Sequence, residues 1–192
     1  MPKLILASTS PRRKELLELA QIPFVIQKKD IDESVITTID PAQKAEQLAM
    51  HKAMHVGFTN QNEVILTADT VVAFKGDIYG KPKNAEEAFS MLSNLSGEQH
   101  EVYTGVAIQS KDKKISFVEK TTVEFWSLST EEINEYILTN DSFDKAGAYG
   151  IQSKGAILVK QIIGDYYNVV GLPISRVVRE LRTFNIKAVS RV

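Results

Sequence analysis

The segment VILTADTVVAF, residues 64–74, constrains the fold more than any other part of the chain. It is rich in β-branched residues, which predicts a buried strand, interrupted at Ala68 and Asp69. Before it, short apolar segments alternate with amphipathic ones, and after it the sequence predicts two long strands that form an antiparallel hairpin. This order of elements predicts an α/β sandwich with a mixed central sheet.

Local signals predict where the other elements begin and end. Helix starts are indicated by Ser10 with Pro11, by Asp40 with Pro41, and by two patterns that resemble capping boxes, at 84–87 and 129–132. We expect strands at 4–7, 24–27, 101–109, 115–125 and 156–163, helices at 11–20, 41–57, 84–97, from 129 and 173–184, and a loop at 28–40.

Composition narrows the class of protein. With 192 residues, 43% of them hydrophobic, the chain fits one domain with a substantial core. A net charge of −1 does not favour nucleic acid or an anionic membrane as a partner, and the absence of cysteine excludes disulfides and thiolate catalysis. No apolar run approaches the roughly 20 residues that span a bilayer, so we expect a cytoplasmic protein.

Familiar glycine-rich phosphate loops are missing from the sequence. There is no G-x-x-x-x-G-K-[ST] and no G-x-G-x-x-G, and GAYGIQ has neither the spacing nor the context of either motif. If the protein binds phosphate, cationic side chains must therefore do most of the work.

The first helix begins with cations at the end where the helix dipole favours anions. Arg13 shares the inward face with Leu16 and Leu17, while Arg12 lies at the rim of that face. Arg13 either extends its charge to solvent or pairs with an acidic group, or it helps to form an anion site at the helix N-terminus. The hydroxyls of residues 8–10 would strengthen such a site.

Two further charged residues stand in apolar surroundings. Lys52 falls within the apolar face of the second helix, where it either reaches solvent at the edge of the core or points into a cleft. Asp69 lies between two apolar runs, where it is either a turn residue capping an N–H group or a ligand-binding residue at a strand end.

Lys81 is held in the stiff turn Gly-Lys-Pro, and DKAGAYGIQ (144–152) contains small residues that would let the backbone approach a ligand closely. By itself this second segment is equally typical of an ordinary glycine-rich loop. His51 and His55 are spaced to share a metal ion, but neither the Glu of H-E-x-x-H nor an obvious third ligand accompanies them.

Together, LILASTSPRRKELL, TADTVVAFKGDIYGKP, VYTGVAI, DKAGAYGIQ and GDYYNVVGLPIS resemble the Maf (septum formation inhibitor) family of nucleoside triphosphate pyrophosphatases, from about residue 3 to residue 184. The resemblance implies an α/β/α sandwich around a bent mixed sheet, inosine triphosphatase-like, with two lobes flanking a cleft, and one domain over 1–192. It also implies a homodimer and a role in nucleotide house-cleaning, with a link to septum formation.

The implied reaction cleaves a nucleoside triphosphate between the α- and β-phosphates with a divalent cation, Mg²⁺ or Mn²⁺, with Co²⁺ as a third candidate. The resemblance assigns Asp69 as the general base and places Lys52, Lys81 and Arg13 beside it in catalysis. It assigns Glu33 and Asp69 to the metal. The implied substrate-binding residues are Ser8, Arg12, Arg13, Thr70, Lys81 and Gln152.

Arg12, Thr70 and Gln152 match positions linked to base selectivity, and ADT followed by GIQ is typical of the branch that acts on dTTP and UTP, with modified pyrimidine nucleotides as further candidates. Another branch, which prefers 7-methyl-GTP, has different residues there. A nucleotide-sensing regulator of cell division with slow hydrolysis is the alternative. The combination of Asp69 and Glu33 argues against it, because a sensor would need only the cations.

Overall fold

Seven strands form one sheet in the computed structural model, which describes residues 2–27, 29 and 31–189. The strands are β1 (Lys3–Leu6), β2 (Phe24–Ile26), β3 (Glu63–Phe74), β4 (Asp77–Tyr79), β5 (Gln99–Gln109), β6 (Lys114–Phe125) and β7 (Val159–Ile163). The helices are α1 (Pro11–Leu19), α2 (Pro41–Val56), α3 (Ala85–Leu95), α4 (Thr130–Leu138), α5 (Tyr166–Val170) and α6 (Ile174–Arg182).

The sheet is mixed, as predicted. Its strand order is β2-β1-β3-β5-β6-β7, with β4 attached to β3. Strand β1 runs parallel to both β2 and β3, whereas β3, β5, β6 and β7 follow one another antiparallel. The predicted hairpin is formed by β5 and β6, which pair along their whole length.

Strand β3 explains how the sheet opens a site at its middle. One edge pairs with β5 over residues 65–73, while the other pairs with β1 over 63–66 and with β4 over 72–74. Within the described part of the chain, residues 67–71 have no strand partner on that second edge. The predicted interruption at Ala68 and Asp69 is therefore wrong: β3 is continuous, and the gap lies between its neighbours.

Helices cover both faces of the sheet. On one face, α2 packs small buried residues such as Ala49 and Ala53 against β3 and β5. On the other face, one apolar cluster joins α1 and α6 to the first half of β3, and a second joins α3 and α4 to its second half. Because the two clusters flank the gap in β3, the apolar core is divided there as well.

Several local predictions need correction. The strand predicted at 156–163 begins only at Val159, because residues 154–158 form a 3₁₀ helix, and neither β4 nor α5 was predicted. The Ser129–Glu132 capping box is complete, but Glu87 accepts from the Lys83 amide instead of closing a box with Asn84. Ser10 occupies the N-cap of α1 without a side-chain capping bond.

The loop predicted at 28–40 contains no helix or strand at 29 and 31–40, and Lys28 and Asp30 lie outside the described residues. Among the residues that the structure describes, no helix is long and apolar enough to cross a membrane.

Candidate active site

A cleft of about 840 Å³ opens at the gap in β3, a size typical of small-molecule sites. Its walls come from both sides of the gap: the β1–α1 turn, α2 and the α5–α6 turn, the turn after β4, and the segment between α4 and β7. The cleft brings together every residue predicted for the site: Ser8, Arg12, Arg13, Glu33, Lys52, Asp69, Thr70, Lys81 and Gln152.

Lys52 joins the two carboxylates predicted for the metal. Its Nζ donates to Asp69 Oδ1 and to Glu33 Oε1, the latter at 2.9 Å. The side chains of Lys52 and Asp69 are only 19% and 14% exposed, so this pair lies within the cleft wall. Of the alternatives left open by the sequence, Lys52 faces the cleft, and Asp69 is not a turn cap because it lies inside a continuous strand.

Arg13 makes three hydrogen bonds, all to neutral groups. Its Nε donates to the Gly171 carbonyl at 2.8 Å, and its two terminal nitrogens donate to Ser8 Oγ at 3.3 Å and Thr70 Oγ1 at 3.2 Å. Burial of the guanidinium lowers the pKa of Arg13, and the charge of Asp69 opposes that shift. An arginine without a direct acidic partner in the described chain suits an anionic ligand.

Arg12 turns away from its neighbour. Its Nη1 lies 3.3 Å from Asp144 Oδ2, in the segment that follows α4, and its side chain is 26% exposed. The helical phase predicts this division, because it places Arg13 on the inward face of α1 and Arg12 at the rim. What the sequence did not reveal is the identity of the acidic partner, which lies 132 residues away.

Lys81 and Gln152 are exposed side chains on the wall of the cleft. Lys81 makes no hydrogen bond or ion pair with another described residue, so its ammonium group is available to a ligand. The turn that carries it is fixed to the opposite segment, because the Gly147 amide donates to the Gly80 carbonyl at 3.1 Å. The two predicted ligand-binding segments therefore support each other through their backbones.

Sequence reasoning missed Lys145, a buried cation in the segment that also carries Gln152. Lys145 Nζ donates to the Asp141 carbonyl at 2.6 Å, to Asp141 Oδ1 at 2.9 Å and to Asp144 Oδ1 at 2.6 Å. Its side chain is only 9% exposed. The available signal was a charged Asp-Lys pair directly before a run of small residues, which by itself is equally common on a solvated loop.

Positive charge predominates among the described residues that line the cleft. They contribute seven cationic side chains and three carboxylates, a surplus of four positive charges in a protein whose net charge is −1. A nucleoside triphosphate carries about four negative charges, so the wall complements it in sign and amount.

The carboxylates suit a cation only with help from a ligand. No group of three or more His, Asp or Glu side chains suitable for a metal ion occurs at 2–27, 29 and 31–189. Glu33 and Asp69 nevertheless converge on one ammonium group, which shows that a positive charge fits between them. Mg²⁺ is commonly held by one or two carboxylates together with substrate phosphates and waters, and this pair fits that pattern.

Comparison with known proteins supports the same class of site. A family model described as Maf-like protein matches residues 3–184. A dTTP/UTP pyrophosphatase of Bacillus cytotoxicus is 54% identical over 185 residues, covering 96% of this chain and 97% of its own. Another, from Bacillus cereus, is 54% identical over 186 residues, covering 97% of this chain and 92% of its own.

The fold is shared more widely. A HAM1 protein from Coxiella burnetii superposes with a TM-score of 0.53 at 16% identity, covering 95% of this chain and all of the other. At that identity the likeness shows the fold alone, and it confirms the predicted α/β sandwich. With the family model spanning nearly the whole chain, the protein belongs to the Maf family.

Proposed function

We propose that this protein is a nucleoside triphosphate pyrophosphatase that converts dTTP and UTP to the monophosphate and pyrophosphate. The observation that carries the proposal is the position of Asp69, a carboxylate bound by Lys52 on the wall of a cleft with surplus positive charge. The relatives that are 54% identical over nearly the whole chain are named for this activity, which supports the choice of substrates.

Arg13 and Lys81 would bind the triphosphate. Phosphoryl transfer depends mainly on positioning and on stabilising the charge of the phosphate oxygens. Arg13 is suited to this because three hydrogen bonds fix the plane of its guanidinium group, and Lys81 because its ammonium group has no partner in the described chain. Ser8 supports Arg13 and offers a hydroxyl at the same wall.

Asp69 would act as the general base. Its Oδ1 accepts from Lys52, which fixes the carboxylate and leaves Oδ2 to accept a proton from water. The water oxygen attacks the α-phosphorus, Asp69 takes the proton, and the bond to the bridging oxygen breaks so that pyrophosphate leaves. Cations near the departing phosphates stabilise the negative charge that develops on that oxygen.

Glu33 and Asp69 are the residues that would hold a divalent cation, Mg²⁺ or Mn²⁺, with Co²⁺ as a third candidate. Bound there, the cation would make water more acidic and shield the carboxylates from the substrate. Lys52 donates to both carboxylates and so keeps them close together, and because its single charge offsets only one of theirs, the pair still attracts a cation.

Gln152, Thr70 and Arg12 would select the base. The Gln152 amide combines a donor and an acceptor, which match the adjacent acceptor and donor of a uracil or thymine ring. Its exposed position on the cleft wall leaves both groups available to a ligand.

The test is a screen for pyrophosphate release from canonical and modified nucleoside triphosphates, with and without Mg²⁺, Mn²⁺ or Co²⁺. We expect release to be greatest from dTTP and UTP and to require a divalent cation. Tight nucleotide binding without release from any of them would favour the sensor instead.

The single domain over 1–192, the homodimer and the cytoplasmic location stay predictions, and ultracentrifugation of the purified protein tests the homodimer.

A further inference from the structure

We propose that Asp144 is a positioning residue for base selection: it holds Arg12 against the segment that carries Gln152. This inference rests on the proposed function, since it concerns how the same site distinguishes pyrimidines. Neither the sequence patterns nor the family resemblance assigns a role to Asp144.

The first step is the division of labour between the two arginines. Arg13 commits three nitrogens to Gly171, Ser8 and Thr70. Arg12, one residue earlier on α1, commits one nitrogen to Asp144 Oδ2 at 3.3 Å. Because the guanidinium group carries five N–H donors, this bond orients Arg12 and leaves other donors for a ligand.

The second step is the anchoring of Asp144 from below. Its Oδ1 accepts from Lys145 at 2.6 Å, so one carboxylate bridges a buried ammonium and a guanidinium at the rim. Desolvation would raise the pKa of Asp144, but the hydrogen bond and charge of Lys145, with a contribution from Arg12, lower it overall. Lys145 is in turn held by two oxygens of Asp141, so the buried end of the bridge is fixed and Arg12 is the adjustable end.

The third step connects the same network to Gln152. Asp141 Oδ2 accepts from the hydroxyls of Tyr136 and Ser153, and Tyr136 Oη accepts from the Gly150 amide at 3.2 Å. A Cβ atom at Gly150 would lie 2.4 Å from Lys145 Cε, so the backbone rests directly on the lysine side chain. Gln152 lies in the chain between Gly150 and Ser153, which this network anchors.

The consequence is that one buried network sets the positions of both Arg12 and Gln152. The carbonyl oxygens of uracil and thymine are acceptors that the free donors of Arg12 can bind, whereas cytosine presents an amino group at one of these positions. The charge of Asp144 also offsets that of Arg12, which weakens the attraction between Arg12 and a triphosphate compared with that of Arg13 and Lys81.

The test compares Asp144→Asn and Asp144→Glu with the wild type. Asparagine keeps the size of the side chain and removes the charge; Asp144 is 60% exposed, and the buried Lys145 keeps Asp141 as its carboxylate partner. Asp112→Asn, at an exposed position in the β5–β6 turn, is the matched control. For each protein, kcat and KM are measured with UTP, dTTP, CTP and GTP, and folding is checked by thermal melting.

In Asp144→Asn, we expect the ratio of kcat/KM for UTP over CTP to fall about tenfold, as for the loss of one charged hydrogen bond. Asp144→Glu should recover part of that ratio, and Asp112→Asn should keep it. In a double-mutant cycle, Arg12→Ala with Asp144→Asn should match Arg12→Ala alone, because Asp144 acts through Arg12.

An equal loss with all four nucleotides, or additive effects in the cycle, would overturn this inference while leaving the proposed function intact. A wild type that releases no pyrophosphate from any nucleotide would instead overturn the proposed function. If Asp144→Asn does not fold, Asp144→Glu alone gives the test, because it keeps the charge but displaces the carboxylate that Arg12 binds. It should lower the UTP over CTP ratio by less than about tenfold, and an unchanged ratio would refute the inference.

Discussion

Asp69 and Thr70 are consecutive residues of β3 whose side chains lie on opposite faces of the sheet. Asp69 meets Lys52 from α2, and Thr70 meets Arg13 from α1. In the interior of a sheet, two such side chains would be separated by the neighbouring strand. Here β3 lacks a partner over 67–71 on one edge, within the described chain, so both faces open to one cleft.

Replacing Asp69 with asparagine tests the base. We expect Asp69→Asn to fold and bind nucleotide but to lose turnover by about 10²–10⁴-fold, the usual contribution of a general base. The rate of pyrophosphate release and calorimetric binding of UTP measure the two effects separately. Asp77→Asn, at the exposed first residue of β4, is the control. Near-normal turnover in Asp69→Asn would remove Asp69 from that role.

Arg13 should contribute far more to the binding of the triphosphate than Lys14, its neighbour on α1. We expect Arg13→Ala to raise KM for UTP about 10- to 100-fold, the range for lost charged hydrogen bonds. The matched control is Lys14→Ala, because Lys14 is the next residue, is half exposed and, among the residues that the structure describes, forms an ion pair only with Glu18. Steady-state kinetics decide the matter, and equal KM values in the two variants would mean that Arg13 merely stabilises the fold.

Much of the fold follows from local physical chemistry. The capping box at Ser129 and the start of α2 at Asp40 and Pro41 depend on residues within one helical turn, so sequence suffices to predict them. The gap beside Asp69 cannot be predicted in this way, because it depends on where β1 ends and β4 begins along β3. A carboxylate within an apolar run marked the right position but for the wrong reason: the polar residue serves the cleft, and the strand continues through it.

The site shows the same boundary between local and long-range information. Arg13 and Lys52 were visible as charges on apolar helical faces, and the structure places both in the cleft. Lys145 and Thr104 were not visible, since neither breaks a periodic pattern. Their roles come from partners distant in sequence: Thr104 faces Thr70 across the β3–β5 ladder.

Thr104 allows a test of how Arg13 is held. Its hydroxyl donates to the Asn168 carbonyl at 3.0 Å, so the Thr70 hydroxyl, 2.9 Å away, must be the donor between the two threonines. Thr70 can then only accept from Arg13. We expect Thr104→Val to reduce the free energy of unfolding by about 1–3 kcal/mol, because the Thr70 hydroxyl loses its hydrogen-bond acceptor. The substitution should also raise KM, with a smaller effect on kcat.

Thr104→Ser is the control because it keeps the hydroxyl and loses only a methyl group. Denaturant unfolding and steady-state kinetics with UTP compare the two variants. A Thr104→Val protein that is less stable but has the wild-type KM would show that the hydroxyl chain stabilises the sheet without positioning Arg13.

Gln152 is expected to select the base and not to support the fold, since its side chain is exposed on the cleft wall. Gln152→Ala should lower kcat/KM for dTTP and UTP about tenfold while changing that for purine nucleotides little, as for one or two lost hydrogen bonds. Competition assays with mixed nucleotides measure the preference directly. Ser153→Ala, which disturbs the neighbouring network, provides a comparison, and a uniform loss in Gln152→Ala would indicate a structural role.

His100 should make stability depend on pH in mildly acidic solution. It is 2% exposed, with Nε2 at 2.8 Å from the Tyr149 hydroxyl and the Phe125 ring packed edge-on against it. Burial lowers the pKa of His100 from 6.5 to about 4. Below pH 6.5, His100 therefore binds a proton in the unfolded chain but not in the folded protein, and the free energy of unfolding falls as pH decreases towards 4.

One such proton changes the free energy of unfolding by at most about 1.4 kcal/mol per pH unit. Most carboxylates titrate below about pH 5. Between pH 6.5 and 5 we therefore expect the free energy of unfolding in urea to depend less on pH for His100→Gln than for the wild type. The variant should be less stable at pH 7, because it loses aromatic packing. His55→Gln, which replaces an exposed histidine of α2, controls for a general loss of imidazole. Equal slopes in the wild type and in His100→Gln would mean that His100 is protonated in the folded state, contrary to its burial against Phe125 and Tyr149.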